Sequence, residues 1–223
     1  MTRHIITLGG GAFTNMGELT KLDRYALAAT RKKKPNVCFI PTASGDALSY
    51  IHQFYAAYTK DICTPSHLGL FRREVKDIER FLLKQDLIFV GGGNTVNMLA
   101  VWHEHEVDIA LARAWQKGIV LAGTSAGAIC WYQSGTTDSY GPELKPMRGG
   151  LGFLKGSFTP HVSSEKTRLG ICRAAIKSGA IDEGYAVDDH VLLHFKNEKL
   201  YKVFKADERR KARYVTKSKV TLL

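Results

Sequence analysis

Ser125 stands among residues that carry little side chain, in Gly123-Thr124-Ser125-Ala126-Gly127. The apolar run Ile119-Val120-Leu121-Ala122 precedes it and the helix-prone Ala128-Ile129-Cys130-Trp131 follows. Strand, small-residue turn and helix in that order resemble a nucleophile elbow, in which a tight, strained turn lifts a hydroxyl above a sheet. The N-terminus of the next helix then points at the same spot. A backbone N–H there, that of Ala126, would stabilise negative charge developing on a substrate oxygen. An ordinary strand-to-helix turn has the same composition, so the reading depends on what else the chain supplies.

A second such segment is Phe89-Val90-Gly91-Gly92-Gly93-Asn94-Thr95, where an apolar run ends and Asn94 is placed to cap a helix. Gly91, Gly92 and Gly93 let the backbone approach a ligand closely, and one of their amides is a candidate second donor to the oxyanion. Phosphate cradling and a plain tight turn are the alternatives. The chain lacks G-x-x-x-x-G-K-[ST], and Gly9-Gly10-Gly11-Ala12-Phe13-Thr14 does not complete G-x-G-x-x-G.

A serine hydroxyl needs a base to take its proton. Among the eight histidines, His161 is the candidate: Thr159-Pro160-His161 follows the strand-like Gly156-Ser157-Phe158. His103 and His105, beside Glu104 and Glu106, fit the exposed end of a helix, and His190 and His194 lie in alternating sequence as surface or core residues. The imidazole in turn needs a carboxylate to fix its tautomer. Asp138 lies in the loop after the nucleophile helix and Asp189 closes a short strand beyond His161; the residues alone leave that choice open.

The elements that must position these groups alternate as in an α/β protein. Apolar runs at 4–8, 37–41, 87–90 and 119–122 predict short buried strands. Between them, stripes at helical spacing predict helices: Leu19, Leu22, Ala26, Ala29; Leu48, Ile51, Phe54, Tyr55, Tyr58; Ile78, Phe81, Leu82; Val107, Ala110, Leu111, Ala114, Trp115. Such alternation predicts a mostly parallel sheet sandwiched by helices, with ligands gathering beyond the carboxyl ends of the strands. The loops to search are therefore 9–15, 41–46, 91–94 and 124–127. After Gly135 the pattern turns loop-rich, a helix is predicted over 164–177, and runs at 186–187, 191–195, 200–204 and 212–215 predict a C-terminal antiparallel extension with tight turns such as Asn197-Glu198. No linker, repeat or low-complexity tract divides the chain, so one domain over 1–223 is expected.

Composition narrows the class. With 223 residues, 44% of them hydrophobic, the chain can bury a substantial core. No apolar run approaches the ~20 residues that cross a bilayer, and the first strand reaches glycine before a signal-peptide core could form. Cys38, Cys63, Cys130 and Cys172 form no C-x-x-C pair and read as buried free thiols in a reducing, cytoplasmic setting. The net charge of +11 is concentrated after residue 195, where ten Lys/Arg meet three Asp/Glu, without a nucleic-acid-binding signature. A solvated basic surface is the expectation, with attraction to an anionic substrate or polymer as the alternative.

Taken together, Val90-Gly91-Gly92-Gly93-Asn94-Thr95, Gly123-Thr124-Ser125-Ala126-Gly127-Ala128 and Thr159-Pro160-His161 resemble the three signature segments of the peptidase E (α-aspartyl dipeptidase) family. These are serine peptidases related to cyanophycinase, with a fold similar to class I glutamine amidotransferases. The resemblance implies Ser125 as nucleophile, His161 as base, the glycine loop as part of the oxyanion hole, and Asp138 or Asp189 as the third member. Thr167-Arg168 is similar to the family's Thr-Arg pair beyond the histidine, which implies a guanidinium that pairs with a substrate carboxylate; a helix-surface arginine is the plain alternative. Asn94 and Thr124, inside the signature segments, are the other positions expected to line the substrate. Three departures bear on specificity rather than hydrolysis: a short segment between His161 and Arg168, aspartate rather than glutamate at 189, and the bulk of Trp131.

The expected function is a serine peptidase that needs no metal or cofactor and acts on a small peptide with an acidic N-terminal residue. A cyanophycinase-like isopeptidase or esterase, and a catalytically silent binding protein of the same fold, are the alternatives. Nucleic-acid and membrane partners are not expected, and the chain is expected to act as a monomer or homodimer.

Overall fold

The computed structural model describes residues 1–13 and 17–223. The first half alternates strands and helices: β1 (His4–Leu8), α1 (Lys21–Ala29), β2 (Asn36–Ile40), α2 (Leu48–Ala57), β3 (Thr64–His67), α3 (Ile78–Leu82), β4 (Leu87–Val90), α4 (Thr95–Glu104), α5 (Val107–Gln116) and β5 (Val120–Thr124). The second half is strand-rich: α6 (Ala126–Ile129), β6 (Tyr132–Thr137), β7 (Lys145–Arg148), β8 (Leu154–Thr159), α7 (Arg168–Lys177), β9 (Gly184–Val187), β10 (Val191–Lys196), β11 (Lys199–Lys205), β12 (Ala212–Val215) and β13 (Val220–Leu222).

Two sheets result. The first has the order β11-β10-β1-β5-β4-β2-β3; its β1, β5, β4, β2 and β3 run parallel, and β10 and β11 add an antiparallel hairpin. Its strands alternate between two faces, as a period of two requires. Ile6, Leu8, Val37, Phe39, Leu87, Phe89, Val120 and Ala122 meet α1 and α2 on one side. Ile5, Cys38, Ile40, Ile88, Val90 and Leu121 pack on the other against α3 to α6. The four cysteines are buried free thiols.

The parallel sheet is as expected, but two expectations need correction. Helices do not cover both faces alone: the second sheet, order β13-β12-β9-β8-β6-β7, packs on the α3–α6 side through Tyr132, Met147, Leu154 and Phe158. The C-terminal strands also do not form one extension, because β10 and β11 return to the first sheet while β9, β12 and β13 join the second. Short apolar runs carry no mark of which partner they will find. The Asn197-Glu198 turn does close the β10–β11 hairpin, with φ of 46° and 64° as a twisted two-residue hairpin turn demands. The α7 helix begins at Arg168 rather than near 164, and Leu48, counted in an apolar stripe, is 69% exposed.

For the site, the second sheet matters most. Its β6, β8 and β9 are adjacent and parallel, in register from Gly135 to Phe158 and from Thr159 to Ala186. Their carboxyl ends therefore reach one edge together, and the next residues along include Asp138, His161 and Asp189. The parallel strands β1, β4 and β5 of the first sheet bring the 9–13, 91–94 and 124–127 loops to the same place. Residues 14 and 15 of the 9–15 loop lie outside the described residues.

His194, left open between surface and core, is buried on β10. Its Nε2 is 2.9 Å from His4 Nδ1 and its Nδ1 is 3.0 Å from the Tyr25 hydroxyl. Desolvation, then the charges of His4, Lys196 and Lys202, push its pKa down to about 4. The folded chain therefore holds it neutral while the unfolded chain protonates it near pH 6.5. Stability is full above that pH and falls as the solution is acidified toward pH 4, by on the order of 3 kcal/mol from this group. Thermal melts of His194→Gln between pH 7 and 4 are expected to show a shallower decline than wild type; parallel declines would contradict this assignment.

Candidate active site

Ser125 leaves the end of β5 with φ 55° and ψ −118°, a conformation that non-glycine residues adopt only where the surroundings impose it. The surroundings are explicit. A Cβ on Gly123 would stand 2.0 Å from Gly127 O, and one on Gly127 would stand 2.3 Å from Val90 O. Backbone meets backbone on both sides of the serine, so only glycine fits. The Ser125 N–H donates to Leu8 O at 3.3 Å, and its carbonyl accepts from Ala128 and Ile129 at 2.9 Å each. The turn is thus held between β1 and the first turn of α6, where the Ala126 N–H has no acceptor within its own helix.

His161 also has positive φ, 58°. Its N–H donates to Gly9 O at 2.9 Å, tying the β8 end to the β1 loop. Its Nδ1 is 2.7 Å from Asp189 Oδ1, and the two side chains are 25% and 16% exposed. Asp189 Oδ2 accepts from the hydroxyls of Ser163 at 2.7 Å and Ser164 at 2.8 Å. Partial burial alone would raise the Asp189 pKa, but the hydrogen bonds from His161, Ser163 and Ser164 outweigh it and hold the carboxyl well below the usual carboxylate range. A Cβ on Gly10, where φ is +148°, would stand 2.2 Å from Asp189 Oδ1 and 2.8 Å from the His161 ring. That pair therefore requires glycine at position 10.

The neighbouring Asp188 has a different task. Buried, it accepts from Arg213 Nη1 at 2.7 Å and from the Lys211 N–H at 2.9 Å, pinning the start of β12. Asp138 is exposed and follows β6, the neighbour of β8 on the side away from β9.

Of the glycine loop, Gly91 donates its N–H to Ile40 O at 3.1 Å as an extension of the sheet, so its amide is not presented to the cleft as expected. The Gly92 N–H points instead to the Tyr50 hydroxyl at 3.3 Å, and a Cβ on Gly92 would come within 3.3 Å of Ser125 Cβ. Gly93, with φ 137°, passes so close to Ala43 that a Cβ would stand 2.1 Å from its carbonyl oxygen. Asn94 caps α4 as expected, its Oδ1 accepting from the Asn97 N–H at 2.8 Å while its Nδ2 donates to Ser139 O at 3.1 Å.

Ser125 and His161 together line two adjoining cavities. One, of about 350 Å³, is completed by Gly10, Gly11, Tyr50, Gln53, Gly92 and Thr124. The other, of about 370 Å³, is completed by Gly93, Asn94, Asp138, Ser139, Glu165 and Arg168. Arg168 is no helix-surface arginine: its side chain is 5% exposed, with Nε 2.7 Å from Glu165 Oε2. It opens α7, where the helix dipole disfavours a cation. A buried cation in that place needs an anion, and Glu165 supplies one.

Of the residues expected from the sequence, Gly91, Ala126 and Asp189 line neither cavity, and Asp189 meets them through His161. Tyr50, Ser163, Ser164, Glu165 and Gly10 were not foreseen. Ser163-Ser164 directly follow the Thr-Pro-His segment, and Tyr50 is an aromatic off the apolar stripe of its helix. Those are the signals that were available.

The sequence matches peptidase family S51 over residues 5–203. It is 45% identical over 199 residues to "Uncharacterized peptidase YgaJ" of Bacillus subtilis (strain 168), covering 89% of this chain and 86% of that protein. Its fold is similar to that of a "Putative Peptidase E Protein" from Listeria monocytogenes EGD-e, with TM-score 0.66 and 17% identity over 92% of this chain and 99% of that one. It is also similar to a peptidase from an acI-B1 Actinobacterium, with TM-score 0.75 and 17% identity over 100% and 94% of the two chains. The chain belongs to peptidase family S51 and is a hydrolase of the serine-peptidase type. Among the described residues, no helix is long and apolar enough to cross a membrane.

Removing both hydroxyls that support Asp189, in Ser163→Ala/Ser164→Ala, is expected to raise the carboxyl pKa toward the ordinary range near 4. A ¹³C NMR titration of the Asp189 carboxyl measures this; an unchanged titration would show that the serines do not stabilise the anion.

Proposed function

We propose that Ser125, His161 and Asp189 form a nucleophile–base–acid triad that cleaves small peptides with an acidic N-terminal residue. The observation that carries the reading is the 2.7 Å contact between His161 Nδ1 and Asp189 Oδ1, in a cleft that the strained Ser125 also lines. An ionised Asp189 fixes the proton of His161 on Nδ1, which leaves Nε2 as the base. Nε2 takes the Ser125 proton as Oγ attacks the scissile carbonyl carbon, and the carbonyl electron pair moves onto its oxygen. The N–H groups of Ala126 and Gly92 hold that oxyanion. As it collapses, the C–N bond breaks and His161 delivers the proton to the leaving amine. Water, deprotonated by the same imidazole, then releases the acyl group from Ser125.

Substrate preference follows from Arg168. A guanidinium in a partly closed cavity favours an anionic group; Glu165 pairs with its charge, while among the described residues the buried Nε–H finds no hydrogen-bond acceptor. A substrate with an N-terminal aspartate would place its side-chain carboxylate there, with its carbonyl at Ser125. Thr124 forms part of the cleft wall, and Asn94, committed at both ends of its amide, shapes the wall rather than gripping the substrate.

Hydrolysis of a dipeptide panel with varied N-terminal residues tests both parts. Ser125→Ala and His161→Ala are each expected to lose roughly 10⁶-fold in turnover. Retention of activity within tenfold of wild type in either would refute the triad. Asp189→Asn is expected to lose on the order of 10⁴-fold and Asp138→Asn less than about tenfold; the reverse order would move the acid to Asp138. Arg168→Met is expected to raise KM for Asp-X substrates about 10–100-fold, with little change for substrates with a neutral N-terminal residue. Equal losses on both would remove Arg168 from specificity.

A further inference from the structure

Tyr50 sits in the first turn of α2, and its phenol reaches the catalytic cleft beside Gly92, Ser125 and His161. The ring is fixed from several sides. It packs against Phe39 at 5.0 Å and Phe13 at 5.7 Å between centroids, and a Cβ on Gly91 would stand 2.8 Å from Tyr50 Cε1. Gly91 is therefore glycine because the phenol ring lies against it. The hydroxyl accepts from the Gly92 N–H at 3.3 Å, a long contact for an amide donor. Among the described residues, the phenol's own proton has no acceptor.

We propose that Tyr50 is a further catalytic residue, whose hydroxyl donates to the oxyanion beside the Gly92 amide. The inference rests on the Ser125 reading given above. At rest the phenol oxygen occupies the place to which Gly92 N–H donates. When the substrate oxygen arrives, the weak contact between Gly92 and Tyr50 gives way. Both donors then turn to the new oxygen, which gains negative charge as Ser125 Oγ bonds to carbon. The Tyr50 proton is shared in a hydrogen bond and is not transferred; the Ser125 proton still goes to His161 and leaves with the amine. Burial keeps the phenol protonated, pushing its pKa up to about 12, so it remains a donor at neutral pH. Neither donor need be aimed at the oxyanion position in the empty site, because catalytic hydrogen bonds often align only once the substrate is bound.

Tyr50→Phe keeps the ring and removes only the hydroxyl. Measured beside Ser125→Ala on the same dipeptide, it is expected to lower kcat on the order of 10²-fold with KM within about threefold of wild type. Binding of a peptide aldehyde, whose hemiacetal carries the same oxygen, is expected to weaken by a similar factor. A kcat within threefold of wild type, or a loss expressed in KM alone, overturns the assignment. If Ser125→Ala keeps its activity, the serine reading fails and this inference falls with it. If Ser125→Ala is inactive while Tyr50→Phe is not impaired, the triad stands and only Tyr50 falls. Fluorotyrosine at position 50 covers the case in which Tyr50→Phe loses stability: it retains the ring and acidifies the phenol. A kcat that changes with ring acidity at constant KM supports the donor, and a kcat independent of it overturns the assignment.

Discussion

The hydrogen bond between His161 and Asp189 joins residues 28 apart in sequence that follow neighbouring parallel strands of the second sheet. Ser125 comes from the end of β5 in the first sheet. The two sheets must therefore meet at one edge for Ser125 and His161 to share a cleft, and the β1 loop is the seam. Gly9 accepts from the His161 N–H and Gly10 from the His190 N–H, while the Gly9 N–H donates to Val191 O at 3.0 Å. A side chain at Gly10 would occupy the space of the Asp189 carboxylate itself. Close backbone approach at positions 10, 93, 123 and 127 is thus the condition under which the site can assemble. It explains why these four positions at the strand ends are glycine.

The same construction accounts for neighbouring acids with separate roles. Asp189 holds His161 at the cleft and is steadied by two serines, whereas Asp188 anchors β12 through Arg213. The basic C-terminal region lies largely outside this machinery. Lys199, Lys202 and Lys205 lie along β11, the edge strand of the first sheet, where charged side chains discourage edge-to-edge association of sheets. Lys196 Nζ lies 3.4 Å from the centroid of the Tyr201 ring. These lysines have a structural account that requires no anionic partner.

Much of the first sheet was legible because its inner strands are short, largely apolar and closed by turn residues; 4–8 and 87–90 coincide with β1 and β4. The 37–41 segment stops at Ile40, before a proline that cannot donate to the sheet. The 119–122 segment runs on through Gly123 and Thr124, which pair with Val90 and Leu8. The second sheet was legible only in part: the segments at 156–158, 186–187 and 212–215 fall in β8, β9 and β12, whereas β6 and β7 contain Gln133, Ser134, Lys145 and Pro146 and lack an apolar signature. That omission left Asp138 and Asp189 undivided: the order β6-β8-β9 places them after the strands on either side of the one that leads to His161. Ser125 and His161 were visible because their neighbours carry the constraint locally. Tyr50 was not, because its position depends on Phe13, Phe39 and Gly91, which come from three other segments.

The most direct test of the account is the site at which a fluorophosphonate reacts, mapped by tandem mass spectrometry on the intact, active protein. A single adduct on Ser125, lost when His161 is replaced by alanine, is the predicted result. An adduct on another residue, or an unmodified Ser125 in protein whose peptidase activity the reagent has abolished, would contradict it.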